Sequence, residues 1–270
     1  MSNRKILFDG NLLKMEARAT TPVSYYLVSE PDRITLNDII GKTLRIFFQG
    51  TIHCVHCGSK TKTSFHNGYC YTCYTSLPET DRGVLHPELD LSHEGISRDM
   101  EWSKKNALID HIVYLAVTGN LKVGVTRHTQ IPTRWIDQGA IAAVKLARTP
   151  YRQLAGLIEV ELKKYVSDKT NLAAMLNATT HEIDLPARKK ELAELLPIEL
   201  RQFVTTDNSI TTLVYPVFRE APYRSTLKLD NTKDFISRLV GIKGQYLIFE
   251  DGNALNVRNH QGYYVTIETE

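Results

Sequence analysis

The chain has 270 residues, of which 42% are hydrophobic and 23% charged, and a formal net charge of +3. That composition excludes a disordered, collagenous or disulfide-scaffold protein and leaves room for two or three domains with cores of their own. No apolar run approaches the roughly 20 residues of a membrane span and no signal-peptide core heads the sequence, so the expectation is a cytoplasmic chain without a membrane partner.

The expected fold class is α+β. Residues 1–80 read as a β meander ending in a metal-stapled ribbon. Lys5–Phe8, Ser24–Val28 and Thr43–Gln49 are short β-rich runs, punctuated by Gly10, Pro22 and Gly41. The only four cysteines follow as two CxxC pairs, Cys54/Cys57 and Cys70/Cys73. Thiolates two residues apart reach one ion from a knuckle turn, and two knuckles close a tetrahedron. Four thiolates leave no position open to substrate, so the expected ion is a structural zinc, with an iron–sulfur cluster as the alternative. Between and beside the pairs, Lys60, Lys62 and His66, with Tyr69, Tyr71 and Tyr74, put basic and aromatic groups on one ribbon. Such a ribbon suits phosphates and bases, and equally suits tyrosines packed beneath a small core.

Residues 81–108 are polar and irregular and read as a connector, with a short helix near Trp102. Residues 109–205 form the expected central α/β domain. Val113, Leu115 and Val117 alternate with Tyr114 and Ala116, the period of a strand. Thr118-Gly119-Asn120 supplies a hairpin turn, and Lys122–Val125 returns. A helix opening near Pro132 places Arg134, Asp137 and Gln138 on one face. Ile141–Leu146 is a third strand. Tyr151–Val166 is a helix with Leu154, Leu157, Ile158, Leu162 and Tyr165 as its expected core stripe. Between Leu121 and Tyr165 stand eight Lys or Arg against three acids, which locates the basic excess of the chain in this segment. Residues 206–270 return to short strands with Gly-containing turns, the spacing of a small β-barrel.

The central order of strand, turn, strand, Arg-bearing helix, strand, Glu-bearing helix and Asn resembles the GIY-YIG nuclease domain. Ile112-Val113-Tyr114 stands where that family has GIY, and Lys122-Val123-Gly124 where it has YIG. Arg134 matches the arginine of the first helix, Glu159 the metal-binding glutamate of the second, and Asn171 the closing asparagine. The step from Glu159 to Asn171 resembles that of the nucleotide-excision-repair members. The whole chain, over roughly residues 45–265, also resembles an uncharacterised bacterial zinc-ribbon family with the signatures LKVGxTR, QIPTRWIDQGA and LVGIKGQYLIF. The first glycine of GIY is absent, and Lys122 replaces the second tyrosine.

The GIY-YIG resemblance implies phosphodiester hydrolysis. Glu159 would hold magnesium or manganese through oxygen. Glu161 is the alternative carboxylate, because the helical wheel places it nearer the apolar stripe. Arg134 would fork onto phosphate oxygens, and Tyr114 would activate water. Lys122 would act as a point charge in place of the tyrosine. Arg127, His128, Arg148 and Arg152 are the candidate nucleic-acid contacts, for DNA or RNA. Two classes stay open: a metal-dependent endonuclease, and a non-catalytic zinc-containing nucleic-acid-binding protein. A protein adaptor is a third.

Overall fold

The computed structural model describes residues 4–29, 32–177 and 183–270. The strand-forming runs at the start of the chain become β1 (Lys5–Asn11), β2 (Glu16–Arg18), β3 (Ser24–Ser29), β4 (Asp32–Thr35) and β5 (Thr43–His53). Strand β5 buries Leu44, Ile46, Phe48 and Ile52 on one side, the two-residue period that sets its register against a core. After it come the two-residue β6 (Lys60–Thr61) and the short helix α1 (Tyr71–Ser76).

Residues 76–213 form a compact unit by themselves. Helices α2 (Arg82–Leu85) and α3 (Met100–Asn106) lead into β7 (His111–Thr118), β8 (Asn120–Arg127), α4 (Thr133–Asp137), β9 (Ala142–Thr149) and α5 (Arg152–Leu162). Then follow α6 (Leu172–Leu176), α7 (Leu185–Glu194), α8 (Ile198–Arg201) and β10 (Thr211–Thr212). The sheet is antiparallel in the order β10-β9-β7-β8. All eight residues of β7 are buried, because this central strand is covered on both faces. Gly119 closes the β7–β8 hairpin at φ +86°, where a Cβ would meet the backbone of Ala174. One face packs Val113, Leu115, Val117, Val144 and Leu146 against Ile158, Leu162, Leu192 and Leu196. Burying such a side chain contributes about 1.5–3 kcal/mol each.

Segment 81–108 is no mere connector. Asp90 and Arg152 form a buried ion pair at 2.8 Å, and Gly156 lets α5 approach the backbone of Pro87 and Glu88. A Cβ at Gly156 would lie 2.2 Å from the Glu88 nitrogen. The apolar stripe expected for α5 is displaced accordingly. The buried positions are Arg152, Ala155, Gly156, Ile158, Glu159 and Leu162, whereas Leu157 and Tyr165 are exposed.

The chain returns through β11 (Ser225–Leu227), β12 (Asp234–Lys243), β13 (Tyr246–Phe249), β14 (Asn253–Asn256) and β15 (Tyr263–Thr269). Here the expected barrel gives way to an open sheet, with order β1-β15-β5-β12-β13-β14-β11 and β6 added to β5. The strands of 206–270 do not close on themselves, because β12 and β15 both take β5 as a neighbour. Residues 1–75 and 214–270 are therefore one unit rather than the separate first and last domains expected. Strands β2, β3 and β4 make a small sheet of their own. Side chains also join the two ends of the sequence: Gln245 accepts from the Met15 N–H at 2.9 Å and donates to the Met15 carbonyl at 3.0 Å. No helix among the described residues is long and apolar enough to cross a membrane.

Candidate metal centre and candidate active site

The four cysteine sulfurs lie within 4.8 Å of one another, with Cys57 and Cys70 at 3.9 Å. Zn–S bonds of 2.3 Å in a tetrahedron separate the sulfurs by about 3.8 Å, so these four could hold a metal ion such as zinc with little movement. The first pair sits on the turn after β5, where the Gly58 N–H donates to the Cys54 carbonyl at 2.9 Å and Gly58 takes φ +71°. The second pair enters α1, with the Tyr74 N–H on the Cys70 carbonyl at 2.9 Å. One knuckle is thus a hairpin turn and the other a helix start, rather than the two hairpins of a ribbon.

Burial works against ionising Cys54, yet N–H groups of Cys57, Cys70 and His56 outweigh it and hold the thiol below its ordinary value. The Ser59 hydroxyl and N–H pull Cys57 down to about 6, while burial pushes Cys73 up to about 12. Thiols this close ionise together only with a cation among them. His53 is engaged by Asn11 at 2.9 Å, and the His66 ring lies 6.3 Å from the Tyr74 ring. Neither histidine joins the four-sulfur group.

In the central unit, β7 and β8 place Tyr114 opposite Gly124 and Ala116 opposite Lys122. The Tyr114 ring fills the space that Gly124 leaves, since a Cβ there would lie 2.6 Å from the Tyr114 oxygen. The hydroxyl donates to Gln138 Oε1 at 2.7 Å, and the ring meets Trp135 edge-on at 6.0 Å. Helix α4 supplies Trp135 and Arg134, and Gln138 follows at its end. Burial raises the Tyr114 pKa, and the adjoining Arg134 guanidinium opposes that rise. Lys122 is 5% exposed, and burial with the Arg134 charge brings its ammonium down to about 8. Its Nζ reaches Thr170 Oγ1 at 3.4 Å. Glu159 is 8% exposed, its pKa raised by burial against the pull of Lys163 and Lys122.

Arg134 and Glu159 each lie within electrostatic range of both Tyr114 and Lys122. The two carboxylates differ in placement. Glu159 turns inward, whereas Glu161 pairs with Lys164 at 2.6 Å on the outside of α5. Two residues passed over in the sequence join the group: Lys163 lies 3.3 Å from Glu159 and 3.2 Å from Asp168. The Glu-to-Lys step of four along one helix was the available signal for the first contact. Asn171 does something else. Its side chain caps α6, accepting from the Ala174 N–H at 3.1 Å.

The four candidate nucleic-acid contacts separate. Arg152 is occupied by Asp90 and by the Asn106 carbonyl at 2.9 Å, with Trp102 under its guanidinium. Arg127 is held by Asn106 Oδ1. Both serve the packing of segment 81–108. His128 and Arg148 stay together around Asp110, and with Lys145 and Asp207 they line a concavity of about 430 Å³.

A family model described as "Protein of unknown function (DUF2797)" matches residues 41–265. No curated protein and no solved structure matches the chain.

Proposed function

We propose, for a chain that belongs to the DUF2797 family, a nucleic-acid-processing role in which residues 76–213 hydrolyse phosphodiesters in the manner of a GIY-YIG domain. The observation that carries this reading is that Arg134 and Glu159, from two helices, both act electrostatically on Tyr114 and Lys122 of the hairpin strands. The β9-β7-β8 order with its flanking helices supports the same resemblance.

Glu159 would hold magnesium or manganese through its carboxylate, with water completing the shell. Such an ion, when bound, polarises the scissile phosphate and acidifies a water. Arg134, half-buried, would fork onto phosphate oxygens as charge develops. Lys122 adds a second positive charge from within. Tyr114 is fully buried and its hydroxyl is committed to Gln138, so it positions α4 and Arg134 rather than taking a proton from water. The cysteine group would carry a structural zinc.

Cleavage of labelled branched, single-stranded and duplex substrates tests the reading, with manganese, with magnesium and with chelator. Wild type should cut only with the ion, and Glu159→Ala should not cut. Glu161→Ala should match wild type. Arg134→Ala should lose about 10²–10³ in rate while retaining affinity. Undiminished cutting by Glu159→Ala would falsify the assignment. Binding without cutting in wild type would establish the second reading, a non-catalytic nucleic-acid-binding protein. One contact favours that alternative: the Lys163 ammonium already sits between Glu159 and Asp168.

A further inference from the structure

We propose that a groove on the cysteine-bearing unit binds the phosphate backbone of single-stranded nucleic acid. It is a second site, built from residues other than the Tyr114–Glu159 group, and it rests on the nucleic-acid reading given above. The groove has a volume of about 520 Å³ and is lined by Phe48, Gly50, Lys60, Lys62, Asp230 and Lys233, among others.

The charge of this lining is the first argument. Lys60, Lys62 and Lys233 are exposed, and none forms an ion pair among the described residues. Arg45 of β5, by contrast, is neutralised by Asp234 and Glu268. The single carboxylate of the lining, Asp230, accepts the Tyr263 hydroxyl at 2.9 Å. Three cations against one hydrogen-bonded acid leave a concave positive surface, where low-dielectric walls strengthen the field.

Position is the second argument. Lys60 lies in β6 and Lys62 in the bend directly after it, and both line the groove. Lys60 pairs with His53 of β5, immediately before Cys54, and the Cys54 N–H donates to the Ser59 carbonyl at 2.9 Å. Lys60 is thereby anchored directly to the first knuckle. Lys233 comes from the opposite side, its carbonyl fixed by the Phe48 N–H at 2.7 Å. Its Nζ lies 3.9 Å from where a Gly50 Cβ would stand. Gly50 takes φ +77°, so this position both favours glycine and keeps a side chain out of the groove.

Shape selects the ligand. A duplex presents its phosphates on a convex cylinder and meets flat or protruding surfaces, whereas a positive groove tracks one strand. Phe48 is buried beneath the groove and offers no face for stacking, so recognition falls on phosphate and should tolerate any base sequence.

The test is fluorescence anisotropy of labelled oligothymidylate with the full, zinc-loaded chain, at salt between about 50 and 200 mM and without magnesium or manganese. Each phosphate contact contributes about −0.7 to the slope of log affinity on log salt for single strands. Lys60→Gln/Lys62→Gln/Lys233→Gln should therefore flatten the slope by about two units and weaken binding at low salt at least tenfold. Lys105→Gln, which removes an exposed lysine of α3 that lines neither site, should leave the slope unchanged, and zinc content should be the same in all three proteins. An unaltered slope in the triple variant overturns the proposal. So does equal affinity for a duplex of the same length, which would mean a diffuse surface field. Failure of the two readings is separable. Groove-dependent binding with no cutting in any variant removes only the cleavage reading. Glu159-dependent cutting with wild-type binding by the triple variant removes only the groove.

Discussion

Lys122 shows what a single buried ammonium costs. Below about pH 8 it is charged in both the folded and unfolded chain, and the folded chain bears the full penalty of burial beside Arg134. Between pH 8 and its ordinary 10.5 the folded chain releases the proton first, so the penalty fades as pH rises. Lys122→Met should therefore raise the melting temperature at pH 7, by a stability gain of at most about 3 kcal/mol. That gain should shrink steadily towards pH 10, because the unmutated chain recovers. Part of it will be offset, since Lys122 also attracts the Glu159 carboxylate. A melting series across this pH range, run on both proteins, decides it; a gain that grows with pH would contradict the sign. Asn171 offers a second check. As the cap of α6, Asn171→Ala should cost about 1 kcal/mol in denaturant unfolding and alter cleavage, if present, only through stability. At this scale the sequence reading was uneven. The spacing to Asn171 pointed to Glu159, while the helical wheel favoured Glu161. The wheel failed because Gly156, small and easily passed over, faces the backbone of segment 87–88, while Ala155 packs into the sheet core.

Among the elements, the doubled CxxC was legible because its chemistry is local: each pair spans four residues and needs only one turn. What spacing did not reveal was that the second pair starts a helix, since CYTC carries neither glycine nor proline to distinguish knuckle from cap. Metal removal should consequently loosen a defined stretch. Chelation, or Cys57→Ser, should increase amide hydrogen exchange over residues 54–76 while β7 and β9 of the other unit keep their protection. Exchange unchanged over 54–76, with metal shown to be absent, would mean that the sheet alone orders the knuckles. The β7–β8 hairpin and the helices after it were legible for a similar reason, as their contacts lie close in sequence and Gly119 marks the turn. Segment 81–108 was not legible. Its role depends on Asp90 meeting Arg152 across sixty-two positions, and no local pattern announces that.

At the level of the whole molecule, periodicity found most C-terminal strands and then assigned them the wrong partners. Alternation says which face of a strand is buried, and it says nothing about which strand lies alongside. Here β5 is flanked by β12 and β15, so the sheet is completed only by joining the two ends of the sequence. Two truncations follow. Residues 76–213 made alone should fold cooperatively and retain helical circular dichroism, since that unit holds its own core. Residues 206–270 made alone should remain unfolded, because the flanks of β12 and β15 would be bare edges. A cooperative melt from the second fragment would restore the independent barrel.

The interleaved layout also has a consequence during synthesis. A ribosome delivers the cysteine pairs early, yet the strands that flank β5 emerge only after residues 76–213 have been made. The intervening unit can fold while its host sheet is still missing neighbours, because domains generally fold as units during translation. For that interval β5 exposes a long apolar edge, and four thiols wait on a scaffold that lacks its final supports. Capture of a metal ion by the nascent chain would lock the knuckles and shorten the period in which that edge can pair with another molecule. Expression in metal-depleted medium should then lower the soluble yield through losses during translation, even where finished protein, once loaded, tolerates chelator.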